Sequence, residues 1–464
     1  MMEIPCGMQE QFLEAKELIE SSNDIKIYTH TDCDGICSGA ILSIILDRLN
    51  KDYEIEFVNL DEIEDLDLDH KLTIFSDLGS GQGVDKNAKD GQKILILDHH
   101  PPLRDINYKN DKAYTYLEIN PMFYGIDGSY YVCGGGLCYF LAKTFGFKDL
   151  SWIGVLSAIG DMQNNKTGHF EGLNEIIQED AINEGLLKVT KNDLNIYGRS
   201  TRPLYVALSY FSDVKLPITN NQQEAKVVLE ELGVDEKHNR KTLSEVTEED
   251  KMEIKKFLSR MISKRVPPKY LKYVPKLIVG DAYTFLNEEE GSFLRDGSEF
   301  STAMNACGRN RKEAIGVDII KGDRLVALDA LEEVSKTHKY NLATSISKVA
   351  DNYHSEIIEL DNFQYFDCSD FDEDIASNII GTITGMVLGY CNWKKPILGF
   401  SKPKNNQIKV SLRCSKLLAY DGIHFGNMIR EIAKEVGGTG GGHAIACGAY
   451  IPNEKKSEFL DKFN

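Results

Sequence analysis

Between residues 24 and 160 the chain alternates short, almost unbroken apolar runs with helix-period patterns, and few folds accept that order. "DIKIYTH" (24–30), "YEIEFVNL" (53–60), "KLTIFSDLG" (71–79) and "KILILDHH" (93–100) have the length and composition of strands. "SGAILSIILDRLN" (38–50), "GGGLCYFLAKTFG" (134–146) and "LSWIGVLSAIGD" (150–161) read as helices. Strands alternating with helices predict βαβ units and a mostly parallel sheet. Ligands of such sheets sit beyond the carboxyl ends of the strands.

Three of the runs end on polar groups of one kind. "THTDCDG" supplies His30, Asp32 and Asp34, alternate residues that point to one side of an extended chain. "FSDLGSG" supplies Asp77, and "ILILDHHPP" supplies Asp98, His99 and His100 before two prolines stop the strand. Asp161 follows Gly160 in "SAIGDMQ". Taken singly, each is a helix cap or a turn acid. Taken together, carboxylates crowded at one sheet edge repel one another unless a cation joins them. Carboxylates and imidazoles without thiolates suit Mn²⁺ or Mg²⁺ better than a structural zinc. Two such ions about 3.5–4 Å apart clamp a phosphoryl group and acidify a bridging water. The residues therefore predict a two-metal hydrolase of phosphoesters or phosphoanhydrides.

Charge narrows the substrate. The chain of 464 residues has a formal charge of −19, which argues against binding nucleic acid over the whole surface. A local groove remains open to it. The stretch 251–276, "KMEIKKFLSRMISKRVPPKYLKYVPK", is rich in Lys and Arg, whereas "DEIEDLDLD" (61–69) is acidic. No apolar run approaches the roughly 20 residues of a membrane helix, so no membrane association is expected. The first residues show no export signal and the ten cysteines form no disulfide framework, which points to a reducing cytoplasm.

The order of the motifs makes a family visible. "HTDCDG", "SDLG", "DHHP" and "IGD", with "GGGH" far downstream, resemble the DHH phosphoesterase superfamily, and the C-terminal part resembles its DHHA1 substrate-binding domain. Within it, "GRSTRPL" (198–204), "LRDGSEFSTAMNACGR" (294–309) and "GGTGGGHAIACGA" (437–449) resemble the RecJ-like single-strand exonucleases, especially the archaeal GINS-associated nuclease branch. A eukaryotic replicative-helicase subunit that has lost much of its metal site is a relative of that branch. Here every expected acidic and imidazole position is filled.

The resemblance implies an α/β chain in three parts: a parallel-sheet DHH catalytic domain over 1–190, a helical linker and insert region over 191–355, and a smaller mixed α/β DHHA1 domain over 356–464. The insert, near 205–290, is associated in that branch with the replication complex GINS. By the same resemblance His30 and Asp32 hold one Mn²⁺, Asp34, His99 and Asp161 hold a second, and Asp77 bridges both. His100 faces the scissile phosphate, and Asp98 orients a histidine. Gly440, Gly441, Gly442 and His443 form a loop that binds the terminal nucleotide. Arg413 is a candidate phosphate clamp whose face Lys409 and Ser411 share by alternation, and Arg309 is placed to reach a backbone phosphate.

The expected activity is Mn²⁺-dependent release of nucleotides from single-stranded DNA or RNA, in replication or repair. Two rivals stand beside it. One is a small-substrate enzyme cutting short oligonucleotides, cyclic dinucleotides or phosphoadenosine phosphate. The other is a replisome scaffold whose hydrolysis is incidental. The large middle region and "NACGR" favour the exonuclease over the first.

Overall fold

The computed structural model describes residues 2–60, 62–63, 66–109, 113–234, 241–351, 357–369 and 373–464, so part of the acidic stretch 61–69 and part of the 205–290 insert lie outside the described residues. The chain forms two compact units, each assembled from two stretches. The first comprises Met1–Lys191 and Asp281–Ser335, the second Asn192–Gly280 and Lys336–Asn464.

The first unit is built on β1 (Ile25–Thr29), β2 (Tyr53–Phe57), β3 (Leu72–Ser76), β4 (Lys93–Leu97) and β5 (Thr115–Ile119). Their order is β2-β1-β3-β4-β5, every neighbouring pair parallel. The central strands explain their apolar sequences: every residue of β3 is buried, whereas the edge strand β2 alternates half-buried and exposed positions. One face packs Ile27, Ile74 and Leu95 against helices α1 (Cys6–Glu20), α2 (Cys33–Arg48), α3 (Gly134–Thr144) and α4 (Ser151–Gly160). The opposite face packs Tyr28, Phe75, Ile94 and Ile96 under Val58, Val84 and Tyr114. Each such aliphatic side chain contributes about 1.5–3 kcal/mol on burial.

The strand order fixes where a ligand can lie. From β1 the chain turns to β2 on one side, and from β3 it turns to β4 on the other. Loops leaving the carboxyl ends of β1 and β3 therefore diverge, and an open crevice forms between them.

In the second unit, helices Leu204–Ser209, Gln222–Glu231 and Glu248–Ser263 pack around Leu208, Val228, Ile254 and Leu258. The helix Glu248–Ser263 buries Lys251, Ile254, Leu258 and Ile262 at helical spacing. Thr247 caps it by accepting from the Asp250 amide, and three acids occupy its first turn. A six-stranded mixed sheet completes the unit, with strands Thr439–Gly442, Ala446–Pro452, Gln407–Arg413 and Ile397–Phe400 side by side.

Three sequence expectations are corrected. The helix anticipated from Ser38 begins at Cys33, because Asp32 caps it, so His30–Asp34 is a strand-to-helix corner and not an extended run. The strand Thr115–Ile119 was not anticipated; Glu118 and its short length obscure the pattern. Gly440–Gly442, expected in a loop, forms a strand, because antiparallel pairing with Ala446–Pro452 satisfies its backbone. Among the described residues no helix is long and apolar enough to cross a membrane.

Candidate metal centre

The crevice collects the polar strand ends. At the β1–α2 corner Asp32 Oδ1 accepts the Gly35 amide at 3.0 Å, and Thr29 Oγ1 donates to the Gly35 carbonyl at 2.7 Å. A Cβ on Gly35 would lie 2.7 Å from the His30 Cα, so this corner closes only on glycine. His30 Nδ1 is thereby placed 3.1 Å from Asp32 Oδ2 and 3.5 Å from Asp77 Oδ2.

Asp77 follows β3 in a left-handed backbone, φ 58°, which costs a non-glycine residue roughly 1–3 kcal/mol. Its amide donates to the Leu97 carbonyl at 2.9 Å, so the turn that aims its side chain is tied to β4. Gly134, at the start of α3, faces it: a Cβ there would sit 2.6 Å from the Asp77 Cβ.

β4 delivers Asp98, His99 and His100. The ring of His99 donates from Nδ1 to the Gly128 carbonyl at 2.7 Å. That bond orients the ring, so Nε2 is the nitrogen turned toward the carboxylates. Nε2 lies 3.3 Å from Asp77 Oδ1 and 3.6 Å from Asp34 Oδ2. Asp98 turns away from this centre. Its Oδ1 accepts the His99 amide at 2.8 Å and His100 Nδ1 at 2.7 Å, and its Oδ2 accepts the Ser80 amide at 2.9 Å. The Asn120 side chain holds both the Ser80 hydroxyl and the His100 carbonyl. His100 is thus gripped at Nδ1 while its side chain remains 44% exposed.

Asp34 and Asp161 complete the ring. The amides of Gly134 and Gly135 donate to the two Asp34 oxygens at 2.8 and 2.7 Å, and the Ser157 hydroxyl donates to one of them. The amino end of α3 thus fixes this carboxylate. Asp161 ends α4, its Oδ2 accepting from Gln163 Nε2 at 2.6 Å and lying 3.9 Å from His99 Nδ1. The Asn305 side chain accepts the Cys33 amide at 3.1 Å and so braces the β1–α2 corner. Gly128, Gly134, Gly135, Ser157, Gln163 and Asn305 escaped the sequence reading. The triple glycine at 134–136 was the one available signal, since glycines opening a helix permit close approach.

Electrostatics asks for a cation here. Burial and the neighbouring charges of Asp34 and Asp32 push the Asp77 carboxyl well above its ordinary range. Burial and Asp161 raise Asp34. Burial works against the imidazolium of His99, yet Asp161, Asp77 and Asp34 outweigh it and raise the ring well above its usual value. Asp77 Oδ2 and His99 Nε2 are buried without a hydrogen-bond partner among the described residues. Candidate donor atoms cluster as His30, Asp32 and Asp77, as Asp34, His99 and Asp161, and as Asp77 with Asp98, His99 and His100. The nearby Cys133 thiol is pushed up by burial and by the charges of Asp34 and Asp161, so it offers no thiolate. Oxygen and imidazole donors in two adjoining triplets fit hard divalent ions such as Mn²⁺ or Mg²⁺.

The expected grip residues, Arg309 apart, belong to the second unit. Along Gln407–Arg413, Ile408, Val410 and Leu412 enter the core, and Lys409, Ser411 and Arg413 take the other face. Arg413 Nη1 donates to the Leu412 carbonyl at 2.8 Å and to Ser411 Oγ at 3.3 Å. Burial lowers this guanidinium from its usual value, and it has no carboxylate partner among the described residues. Gly441 and Ser411 both pair with Gly448, so the three form one row across the sheet, and His443, just past the strand, donates its amide to the Ala446 carbonyl at 2.9 Å. Arg309 ends the helix Gly297–Arg309 in the first unit.

A parallel sheet of this order, with carboxylates and imidazoles at its switch point, defines an α/β protein whose clustered donor groups could hold hard metal ions. The chain belongs to the DHH family. The DHH family N-terminal domain matches residues 24–155, the DHH-CID domain residues 196–274 and the DHHA1 domain residues 361–464. The uncharacterized protein MJ0831 of Methanocaldococcus jannaschii is 30% identical over 446 residues, 94% of this chain and 92% of its own. Among solved structures, CDC45 from Entamoeba histolytica is similar with a TM-score of 0.63 at 15% identity, over 98% of both chains. RecJ in complex with Mn²⁺ from Thermus thermophilus is similar with a TM-score of 0.55 at 12% identity, over 100% of this chain and 55% of RecJ. At those identities the shared property is the fold.

Proposed function

We propose that this protein is a Mn²⁺-dependent exonuclease of single-stranded DNA or RNA. The metal cluster carries the reading: two donor triplets meet around Asp77, whose carboxylate is buried, strained into place and unpartnered at Oδ2. His30 and Asp32 would hold one ion, Asp34, His99 and Asp161 the other, with Asp77 shared. Bound there, two divalent ions supply an acidified water and neutralise the charge that builds on the phosphate.

The chain's own residues do the rest. Gly128 and the α3 amides keep His99 and Asp34 in the geometry that ion binding requires. His100, with Nδ1 held by Asp98, presents Nε2 to the phosphate, where it stabilises the developing charge or assists the leaving oxygen. Arg413, with Lys409 and Ser411, clamps a phosphate. The Gly440–Gly442 strand brings backbone close to the terminal nucleotide beside His443, and Arg309 takes a backbone phosphate.

The deciding assay incubates DNA and RNA labelled at either end with Mn²⁺ or Mg²⁺, alongside a dinucleotide. Ladders from the long strand are expected, and Asp77→Ala abolishes them. Cleavage of the dinucleotide alone overturns the exonuclease reading, and Mn²⁺-dependent cleavage by Asp77→Ala overturns the metal assignment. The resemblance of the 205–290 insert to the GINS-associated branch motivates a second reading, a further role in a replication complex with GINS as the partner. Asp77→Ala is then expected to keep that complex intact.

A further inference from the structure

The second unit carries a groove of about 460 Å³, within the 205–290 insert, to which no strand-binding role has been given above. One wall is the outer face of the helix Glu248–Ser263, with Lys255, Lys256, Ser259, Arg260 and Ser263. Pro275, Ile278 and Val279 form the other wall. From this geometry we infer that the groove binds a single-stranded nucleic acid through its phosphates. The choice of ligand rests on the exonuclease reading above.

Three observations carry it. First, the charge is local. Residues 251–276 hold nine Lys or Arg and one acid, in a chain whose formal charge is −19, so a polyanion repelled by most of the surface finds its attraction here. Secondly, the cations are arrayed along the helix, Lys256 and Arg260 on it and Lys264 as its carboxyl-end cap beyond the groove. Lys256, Arg260 and Lys264, all exposed, recur every four residues, about 6 Å apart along the axis. A straight row of single charges suits a polymer with one charge per unit. Thirdly, the donors are placed and carry no buried ion pair among the described residues. Lys255 Nζ is tethered to the Asn192 carbonyl at 2.7 Å, and Lys256 has only an exposed pairing with Glu253, worth little in water. The Arg260 guanidinium makes no hydrogen bond or ion pair among the described residues.

The wall chemistry favours a strand over an acidic peptide. Serine hydroxyls interleave with the cations and add donors for phosphate oxygens, while exposed Pro275 and half-buried Val279 opposite offer an apolar surface to a sugar or base. The groove lies on the unit that also bears Arg413 and Gly440–Gly442, so that unit would hold a strand at two places.

The test uses the full chain in EDTA, where no strand is cut, and the anisotropy of a labelled oligothymidylate of about 20 nucleotides across a salt series. Each single-strand phosphate contact contributes about 0.7 to the slope of log affinity against log salt. Lys256→Ala/Arg260→Ala is therefore expected to reduce that slope by about 1.4, and to weaken binding about 25-fold near 0.1 M salt. Both side chains are exposed, so an unchanged melting temperature is expected alongside. An unchanged slope overturns the inference. So does a variant that binds the strand normally but loses affinity for polyglutamate, which assigns the groove to acidic peptide. A wild type that binds the strand through these residues but cuts nothing with Mn²⁺ overturns the exonuclease reading and leaves the groove standing.

Discussion

Replacing Gly134 by alanine tests the metal centre without removing any ligand. The added Cβ would lie 2.6 Å from the Asp77 Cβ, 2.9 Å from its Cα and 3.1 Å from its Oδ1. Ordinary contact begins near 3.4 Å, so α3 and the Asp77 turn must part by roughly 0.8 Å. The turn is pinned by its amide bond to Leu97, and the Gly134 amide is one of the two that hold Asp34, so the displacement falls on both carboxylates. A misplacement of about 1 Å costs roughly 100-fold in rate, equivalent to about 2.7 kcal/mol at the barrier. Overpacking costs about 1–3 kcal/mol of stability as well. Gly136→Ala is the control: it lies on the same helix, and its Cβ would meet Val132 at 2.9 Å and Ile177 at 3.1 Å, away from the ligands. Both variants should melt a few degrees lower. Calorimetric titration with Mn²⁺ and a nucleotide-release assay should separate them, with Gly134→Ala alone losing metal affinity and about two orders of magnitude in kcat/KM. Equal activity losses in the two variants, or full Mn²⁺ affinity in Gly134→Ala, would refute the reasoning.

Three further outcomes follow from the same geometry. Chelation should destabilise the first unit, because buried like charges and the lone atoms of Asp77 and His99 then have no counterpart; Mn²⁺ at about 100 times its Kd should restore about 2.7 kcal/mol, read as a higher Tm. Asp77 and His99 are both raised well above their ordinary ranges in the metal-free cluster, which favours protonated forms that a metal must displace. Apparent Mn²⁺ affinity should therefore rise with pH and binding should release protons, measurable by titration in buffers of different ionisation heat; affinity independent of pH contradicts this. Asp98→Asn should lower kcat about 10–100-fold with Mn²⁺ affinity retained, since Asp98 contacts His100 and the loop amides while the metal-facing atoms lie elsewhere.

Much of this was legible in the chain, for physical reasons. The parallel sheet showed because β3 and β4 are buried on both faces and must be apolar throughout. The strand-end acids and imidazoles showed because each breaks an apolar run abruptly. The parts that did not show depend on tertiary approach. Asp34 is fixed by amides a hundred residues away, and His99 by the Gly128 carbonyl, and neither backbone group has a sequence signature. The corner at His30–Asp34 was misjudged because Asp32 serves at once as a helix cap and as a neighbour of His30. The Gly440–Gly442 strand was hidden because glycine ordinarily weakens strands, and here pairing with a firm neighbour overrides that preference.

The two halves of the metal centre differ in their access to water. Asp34, His99 and Asp161 are 2%, 3% and 10% exposed and are clamped by amides, a carbonyl and a glutamine, whereas His30 and Asp32 are 25% and 45% exposed at the lip. An ion seated on the inner triplet can leave only after those clamps open, so its residence time is set by breathing of the protein. An ion at the lip exchanges with bulk solvent at a rate set by its own ligand exchange. Were two ions bound as proposed, the inner one would be resident and the lip ion a visitor, and activity would follow the free metal pool through the visitor.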